Sequence, residues 1–306
     1  MHIFSPYITI EREDWSSLYD QSRLAISPER FESLKGINER ISMDEVEDIY
    51  LPLTKLINLQ VAAAQQLRAT TASFLRKKAD KVPYIIGIAG SVAAGKSTTA
   101  RLLQALLSQY EEHPQVEIVT TDGFLYPNRI LEAKGIMNRK GFPQSYDTKR
   151  LIQFLTDVKA GQAEVHAPVY SHLSYDIVPD ETIKVERPDI LILEGINVLQ
   201  VSREASVFVS DFFDFSIYVE AQDLDLEKWY VERFLLLRDT AFRDPTSYFH
   251  RYAALTKKEA INRARTIWRD INQVNLNKNI LPTKGRAKLI LSKDTDHRIR
   301  NIHLRK

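Results

Sequence analysis

The sequence predicts an α/β fold: a mainly parallel central sheet with helices on both faces, preceded by an N-terminal helical extension. Three observations lead there. Short runs rich in Ile, Leu and Val recur along residues 82–306 with helical patterns between most of them, as strands buried on both faces require. The first such run stops in glycine and passes into an amphipathic helix. Ahead of it, from Ser27 to about Lys81, apolar residues recur at helical spacing.

Ser27-Pro28 opens the extension, since proline suits the first helical position, and Gly36 ends that short helix. Ser42 with Glu45 forms a capping-box signature, and Val46 and Ile49 share one face of the next helix until Pro52 interrupts it. From Leu53 to Lys77, the side chains of Leu56, Leu59, Ala63, Leu67 and Phe74 fall on one stripe, which is expected to be buried. At Val82-Pro83 the texture changes. The expected strands are YIIGIAG (84–90), VEIVTTD (116–122), DILILEG (189–195), FSIYVE (215–220) and AKLILSK (287–293). Leu102, Leu103, Leu106 and Leu107 mark the helix after the first strand. Thr256 with Glu259 caps another, whose core side carries Ala260, Ile261, Ala264, Ile267, Trp268 and Ile271. Residues 1–81 are therefore expected as a helical extension packed on an α/β domain of residues 82–306, the two forming one structural unit.

At 306 residues with 44% apolar content the chain can bury a full core, because a chain of this size hides roughly three quarters of its unfolded surface. Forty-two Lys and Arg against forty Asp and Glu leave a formal charge of +2, too small for the one-sided basic field that duplex nucleic acid selects. The local basic runs at Arg76-Lys77-Lys78, at Arg263, Arg265 and Arg269, and at Arg305-Lys306 read as solvated faces. No nucleic-acid partner is expected. With no cysteine, disulfides, thiolate zinc sites and cysteine nucleophiles are excluded, in keeping with a reducing cytosol. The opening MHIFSPYITIEREDW lacks a basic start followed by roughly 7 to 15 apolar residues, and no later stretch approaches about 18. A cytoplasmic location without membrane contact is expected.

Function enters at Gly90-Ser91-Val92-Ala93-Ala94-Gly95-Lys96-Ser97: a glycine, four residues, then glycine-lysine-serine, set between a predicted strand and a predicted helix. The glycines let the chain curl so that amide N–H groups converge on phosphate oxygens, and the helix N-terminus adds the positive end of its dipole. Lys96 then reaches the β- and γ-phosphates of a nucleoside triphosphate, and Ser97 offers a hydroxyl to Mg²⁺. Thr98 is grouped with them as nucleotide-binding. In open α/β sheets the ligand lies beyond the carboxyl ends of the strands, so acids at those ends come next. Asp122 closes VEIVTTD before the turn Gly123-Phe124 and is preferred as the base that takes the proton of an attacking hydroxyl. Glu194 closes DILILEG and serves the metal side. Asp189 starts that strand at its opposite end and is set aside.

Several stretches go beyond a phosphate loop: GSVAAGKSTTAR (90–101), TTDGFLYPN (120–128), KGFPQSYD (140–147), APVYSHLSYD (167–176), PDILILEGINVLQ (188–200), FVSDFFDFSIYV (208–219) and NILPT (279–283). Together with KGINERIS and IYLPLTKL nearer the N-terminus, they resemble the bacterial type I pantothenate kinases along nearly the whole chain. The resemblance implies a P-loop kinase fold and transfer of the γ-phosphoryl group of ATP to pantothenate, giving 4′-phosphopantothenate in the first step of coenzyme A synthesis. It also implies ATP as co-substrate with Mg²⁺, and a homodimer inhibited by coenzyme A and its thioesters in competition with ATP. By motif, Lys96 and Ser97 hold the phosphates and the metal, Asp122 activates the hydroxyl, and Glu194 supports the metal. Tyr170 and His172, in VYSHL, match residues near the pantothenate and coenzyme A sites. Tyr230 and Arg233, in WYVERF, match residues that bind pantothenate and the moving phosphate, and they stand one helical turn apart. An arginine fork there would neutralise charge on the transferring group. Asn272 in WRDIN and Phe249 in SYFHRY match residues of the pantothenate pocket, while Lys96, Arg101 and His172 make up the implied coenzyme A set. The chain departs from the family at Leu237, where an aromatic is expected.

Two other readings share parts of this pattern. A related phosphate-loop kinase acting on uridine or a sugar phosphate would keep loop, sheet and acids and differ in its acceptor pocket. A nucleotide-dependent switch would need a guanine-reading tetrad of Asn or Thr, Lys, any residue, Asp, and the sequence has none.

Overall fold

The computed structural model describes residues 5–19, 26–78, 81–202 and 205–306. In chain order its strands are β1 (Tyr7–Glu11), β2 (Tyr84–Gly90), β3 (Val116–Thr120), β4 (Val165–Ser171), β5 (Asp176–Val185), β6 (Ile190–Glu194), β7 (Phe215–Glu220), β8 (Leu289–Lys293) and β9 (Ile299–Arg305). Seven of them form one sheet in the order β1-β9-β8-β7-β2-β6-β3, and β4 pairs with β5 in a separate antiparallel hairpin. The principal helices are α1 (Arg12–Ser17), α2 (Pro28–Leu34), α3 (Met43–Glu45), α4 (Leu51–Phe74), α5 (Lys96–Leu107), α6 (Asn128–Ala133), α7 (Thr148–Lys159), α8 (Asp223–Asp239) and α9 (Lys257–Ile267).

All five expected strands are present, and they are the parallel part of the sheet, β8-β7-β2-β6-β3. Every residue of β2 and β6 is buried, which is why these segments read as unbroken apolar runs. The chain leaves β2 through α5 and enters β3 two positions away, so β6 fits between them. Glu194, at the end of β6, pairs with Ile88 on one side and Thr120 on the other. The loops after β2, β3 and β6 therefore open side by side, at the point where strand order reverses and α/β sheets hold their ligands.

Four strands carry no such signal. The strands β1 and β9 pair antiparallel at one side of the sheet, where YITIE has only half-buried and exposed positions and IRNIHLR buries two residues among mostly half-buried ones. The extension thus contributes a strand as well as helices. The β4–β5 hairpin is polar and largely exposed along β5, so it lacks the continuous run of a buried strand.

Local helix signals fared unevenly. The Ser27 side chain accepts from the N–H of Arg30 with Pro28 in the first turn, and Thr256 with Glu259 forms the expected reciprocal cap of α9. Ser42 makes no cap. Glu45, buried, instead accepts from Arg12 at 2.5 Å and from the N–H of Ile299 at 2.7 Å, tying α1 and β9 to α3. Pro52 does not end its helix, because it stands in the first turn of α4 directly after a π turn, Val46–Tyr50, where a missing N–H is tolerated. The stripe expected to be buried on α4 is the outer one: Leu59 is 60% exposed, Leu67 67% and Phe74 85%. Leu53, Ile57 and Val61, at i, i+4 and i+8, face the core in its place.

One apolar cluster runs from Trp15 and Ile57 through β2, β6, β7 and β8 to Ile302, and it includes Leu102, Leu103, Leu106 and Leu107 of α5. A smaller cluster of Phe234, Phe242, Tyr252, Ala260 and Ala264 joins α8 to α9 beside the sheet.

Candidate active site

The loop between β2 and α5 is shaped by three residues with positive φ: Gly90 at +144°, Ala93 at +64° and Gly95 at +97°. At Gly90 a Cβ would stand 2.5 Å from the Val219 carbonyl oxygen of β7, so only glycine lets the loop leave the sheet there. Lys96 opens α5 and turns back over the loop, its Nζ donating to the Ser91 carbonyl oxygen at 2.9 Å. Its burial lowers its pKa; Glu194 and Asp122 oppose that shift, and Arg233 adds to it. These charges surround one ammonium although they come from β6, the β3 turn and α8. The Ser97 hydroxyl donates to Glu194 Oε1 at 2.7 Å, and Glu194 is itself buried. Among the described residues Ser91 Oγ is buried without a hydrogen-bond partner, and Thr98 lies buried in the first turn of α5.

Asp122 sits in the 3₁₀ turn Thr121–Phe124 that ends β3. Gly123 in that turn lies so close to the Pro168 carbonyl of β4 that a side chain would clash, which brings the hairpin over the carboxylate. The hairpin delivers aromatic rings. Tyr170 meets His172 edge-on at 5.2 Å and Tyr175 at 6.3 Å, and Tyr175 meets Phe249 at 4.8 Å. Burial pushes the Tyr170, Tyr175 and Tyr146 phenols upward, with Asp122 adding to each, so they stay protonated beside the carboxylate. On α8, Tyr230 packs against Trp268 at 5.6 Å. Burial pushes its phenol up to about 12, with Asn272 and Arg233 opposing.

The structure thus gathers Lys96, Ser97, Asp122, Glu194, Tyr170, Tyr230, Arg233, Phe249 and Asn272 around one mouth. His172 stands exposed at the hairpin tip. Arg101 lies farther along α5, its Nε donating to the Leu34 carbonyl at 2.8 Å and an Nη to Thr98 Oγ1 at 3.2 Å, so its fork ties α5 to the end of α2. Leu237 packs partly buried against the α8–α9 cluster that also includes Phe249.

Sequence reasoning missed four neighbours. The side-chain tips of Glu39 and Lys293 close over Gly95, whose φ of +97° is what favours glycine there. Tyr175 and Lys140 stand beside Asp122. Tyr175, Lys140 and Glu39 lie inside the blocks APVYSHLSYD, KGFPQSYD and KGINERIS, but no spacing rule marks them.

A family profile described as Phosphoribulokinase / Uridine kinase family matches residues 85–246, from β2 through Asp122 and Arg233. A protein named pantothenate kinase from Parvibaculum lavamentivorans is 56% identical over 99% of this chain and 94% of its own. Another of that name, from Brevibacillus brevis, is 58% identical over 99% and 97%. The chain belongs to the pantothenate kinase family. It matches these pantothenate kinases end to end, so the extension and the hairpin belong to the shared architecture. A solved structure titled as a fructose transport system kinase from Silicibacter sp. TM1040 shares the fold, with a TM-score of 0.52 and 24% identity over 71% of this chain and 92% of that one.

Proposed function

We propose that the chain transfers the γ-phosphoryl group of ATP to the primary hydroxyl of pantothenate. The observation that carries this reading is the meeting of Lys96, the Ser97–Glu194 pair and Asp122 at three neighbouring strand ends, in a chain whose full-length relatives are named pantothenate kinase. Main-chain N–H groups of residues 91–96 would clasp the triphosphate together with Lys96, whose burial strengthens its pull on phosphate. Ser97 and Glu194 offer oxygen donors of the kind Mg²⁺ takes alongside phosphate oxygens and water, and the ion's charge would offset that of the nucleotide. As the alcohol oxygen bonds to the γ-phosphorus and the bond to ADP breaks, Asp122 takes the hydroxyl proton and Arg233 neutralises the equatorial oxygens. Tyr170, His172, Tyr230, Asn272 and Phe249 line the acceptor side, where rings and a few polar tips suit a molecule with one carboxylate and one amide.

The same loop is the place for feedback by coenzyme A and its thioesters in competition with ATP, through Lys96, Arg101 and His172. Support for a homodimer comes from the outer stripe of α4, whose exposed Leu59, Leu67 and Phe74 are costly to leave in water. No described helix is long and apolar enough to cross a membrane, which agrees with a cytoplasmic enzyme. The sharing of one apolar cluster by Trp15, Ile57 and the sheet supports a single structural unit of extension and α/β domain.

A coupled kinase assay offering pantothenate, uridine and ribulose phosphate side by side, with and without coenzyme A, tests this. Pantothenate alone should be consumed, with inhibition by coenzyme A relieved by added ATP. Phosphorylation of uridine alone would refute the reading.

A further inference from the structure

Beside the Asp122 turn lies a buried ammonium for which the chemistry above has no use. Lys140 is only 8% exposed. Its Nζ donates to Asn128 Oδ1 at 2.6 Å and to the Tyr175 carbonyl oxygen, using two of its three N–H donors. It lies 4.1 Å from the centre of the Tyr175 ring and 5.1 Å from that of Tyr170, each a cation–π contact in a desolvated place. The charged groups that face it are Asp176, at the start of β5, and Asp122, in the turn after β3. Asp176 is engaged locally, its Oδ1 accepting from the N–H groups of Asn128 at 2.9 Å and of Ile177 at 2.8 Å. Tyr170 and Tyr175, whose rings it faces, and Tyr146, beside Asp122, are phenols that burial keeps neutral.

A lysine withdrawn from water this far forfeits several kcal/mol of solvation, and a structural tether between Asn128 and Tyr175 could be made by a neutral donor. The charge therefore needs a reason, and Asp122 supplies one. We propose that Lys140 is a positioning residue for phosphoryl transfer: it pins the hairpin tip to the start of α6, which fixes the tyrosine wall, and it sets a positive charge opposite the Asp122 carboxylate. This rests on Asp122 being the proton acceptor. Mildly alkaline solution removes this ammonium, because burial pushes its pKa down to about 8 against the pull of Asp176 and Asp122.

The test is the pH profile of kcat and of kcat/KM for pantothenate phosphorylation in the wild type, Lys140→Met and Lys140→Arg, with Asp122→Asn alongside. The wild type should lose activity through a limb near pH 8. Lys140→Met should lose at least about 10-fold in kcat, with the KM for ATP little changed, and should show no such limb. If Lys140→Met does not fold, Lys140→Arg decides, since a guanidinium keeps its charge and must abolish the limb. A wild-type profile flat through pH 8, or the same limb in either variant, overturns the proposal. An inactive Asp122→Asn with a Lys140→Met that matches the wild type removes Lys140 alone, whereas an active Asp122→Asn removes the base on which the proposal rests.

Discussion

Lys96 and Asp122 face each other across the mouth, one a buried ammonium bonded to the Ser91 carbonyl, the other a carboxylate under the hairpin. Neither holds a strand or helix together, so removing either should leave the fold and damage the reaction. Lys96→Ala and Asp122→Ala are expected to lose at least about 100-fold in kcat while their circular dichroism matches the wild type. A folded, near-fully active Asp122→Ala would end its assignment as base. Arg101 is different, because its hydrogen bond to the Leu34 carbonyl, worth about 1 kcal/mol, anchors the extension to α5. Arg101→Ala should melt somewhat earlier, retain activity at low temperature and resist coenzyme A; unchanged inhibition would take Arg101 out of the regulatory set. The loop, Asp122 and Glu194 were legible because their spacing and their places at strand ends reflect how phosphate is bound. Tyr230, Arg233, Asn272 and Phe249 needed the family pattern, since nothing in a helical Arg or Asn says which mouth it reaches. Lys140 and Glu39 were illegible for a third reason: their meaning is a place beside Asp122 or over Gly95, which only the fold confers.

At the scale of elements, α4 shows what periodicity can and cannot decide. Its sequence carries two apolar stripes, Leu53-Ile57-Val61 and Leu59-Leu67-Phe74, and spacing identifies a helix without saying which stripe the core takes. The inward stripe is set by packing on the rest of the molecule, as the contact of α4 with α5 makes plain. Ile57→Ala should therefore cost about 2–5 kcal/mol in denaturant unfolding, as core truncations do, while Leu67→Ala should change monomer stability little. If the outer stripe is the seam of the proposed homodimer, Leu67→Glu combined with Phe74→Lys should leave a monomer in analytical ultracentrifugation with the core intact, where the wild type sediments as a dimer; a variant dimer would take the stripe out of the interface. The antiparallel strands β1 and β9 were invisible for a related reason. Half-exposed strands tolerate Arg, Asn and His, and in so doing lose the apolar run that marks the five parallel strands.

The whole molecule adds a pH dependence that no single element predicts. His297, between β8 and β9, stacks on Trp229 of α8 at 4.0 Å, and burial, with Lys293 adding, pushes its pKa down to about 4. Between pH 6.5 and about 4 the unfolded chain takes up a proton that the folded one refuses, so folding free energy should fall as pH drops through that window. The loss should reach about 2–3 kcal/mol and vanish in His297→Phe, which keeps the stack and cannot protonate; a wild-type-minus-variant difference that is flat with pH would contradict it. The parallel interior of the fold was readable from sequence, but the closing of N-terminal Glu39 and C-terminal Lys293 over Gly95 depends on the ends of the chain meeting in space. The most direct test of the central claim is a single turnover of ATP labelled in its γ-phosphoryl group, with Mg²⁺ and pantothenate present. The label should pass to the primary hydroxyl of pantothenate with the wild type and stay on ATP with Asp122→Asn. Label found in inorganic phosphate alone, or transfer undiminished by Asp122→Asn, would contradict the account.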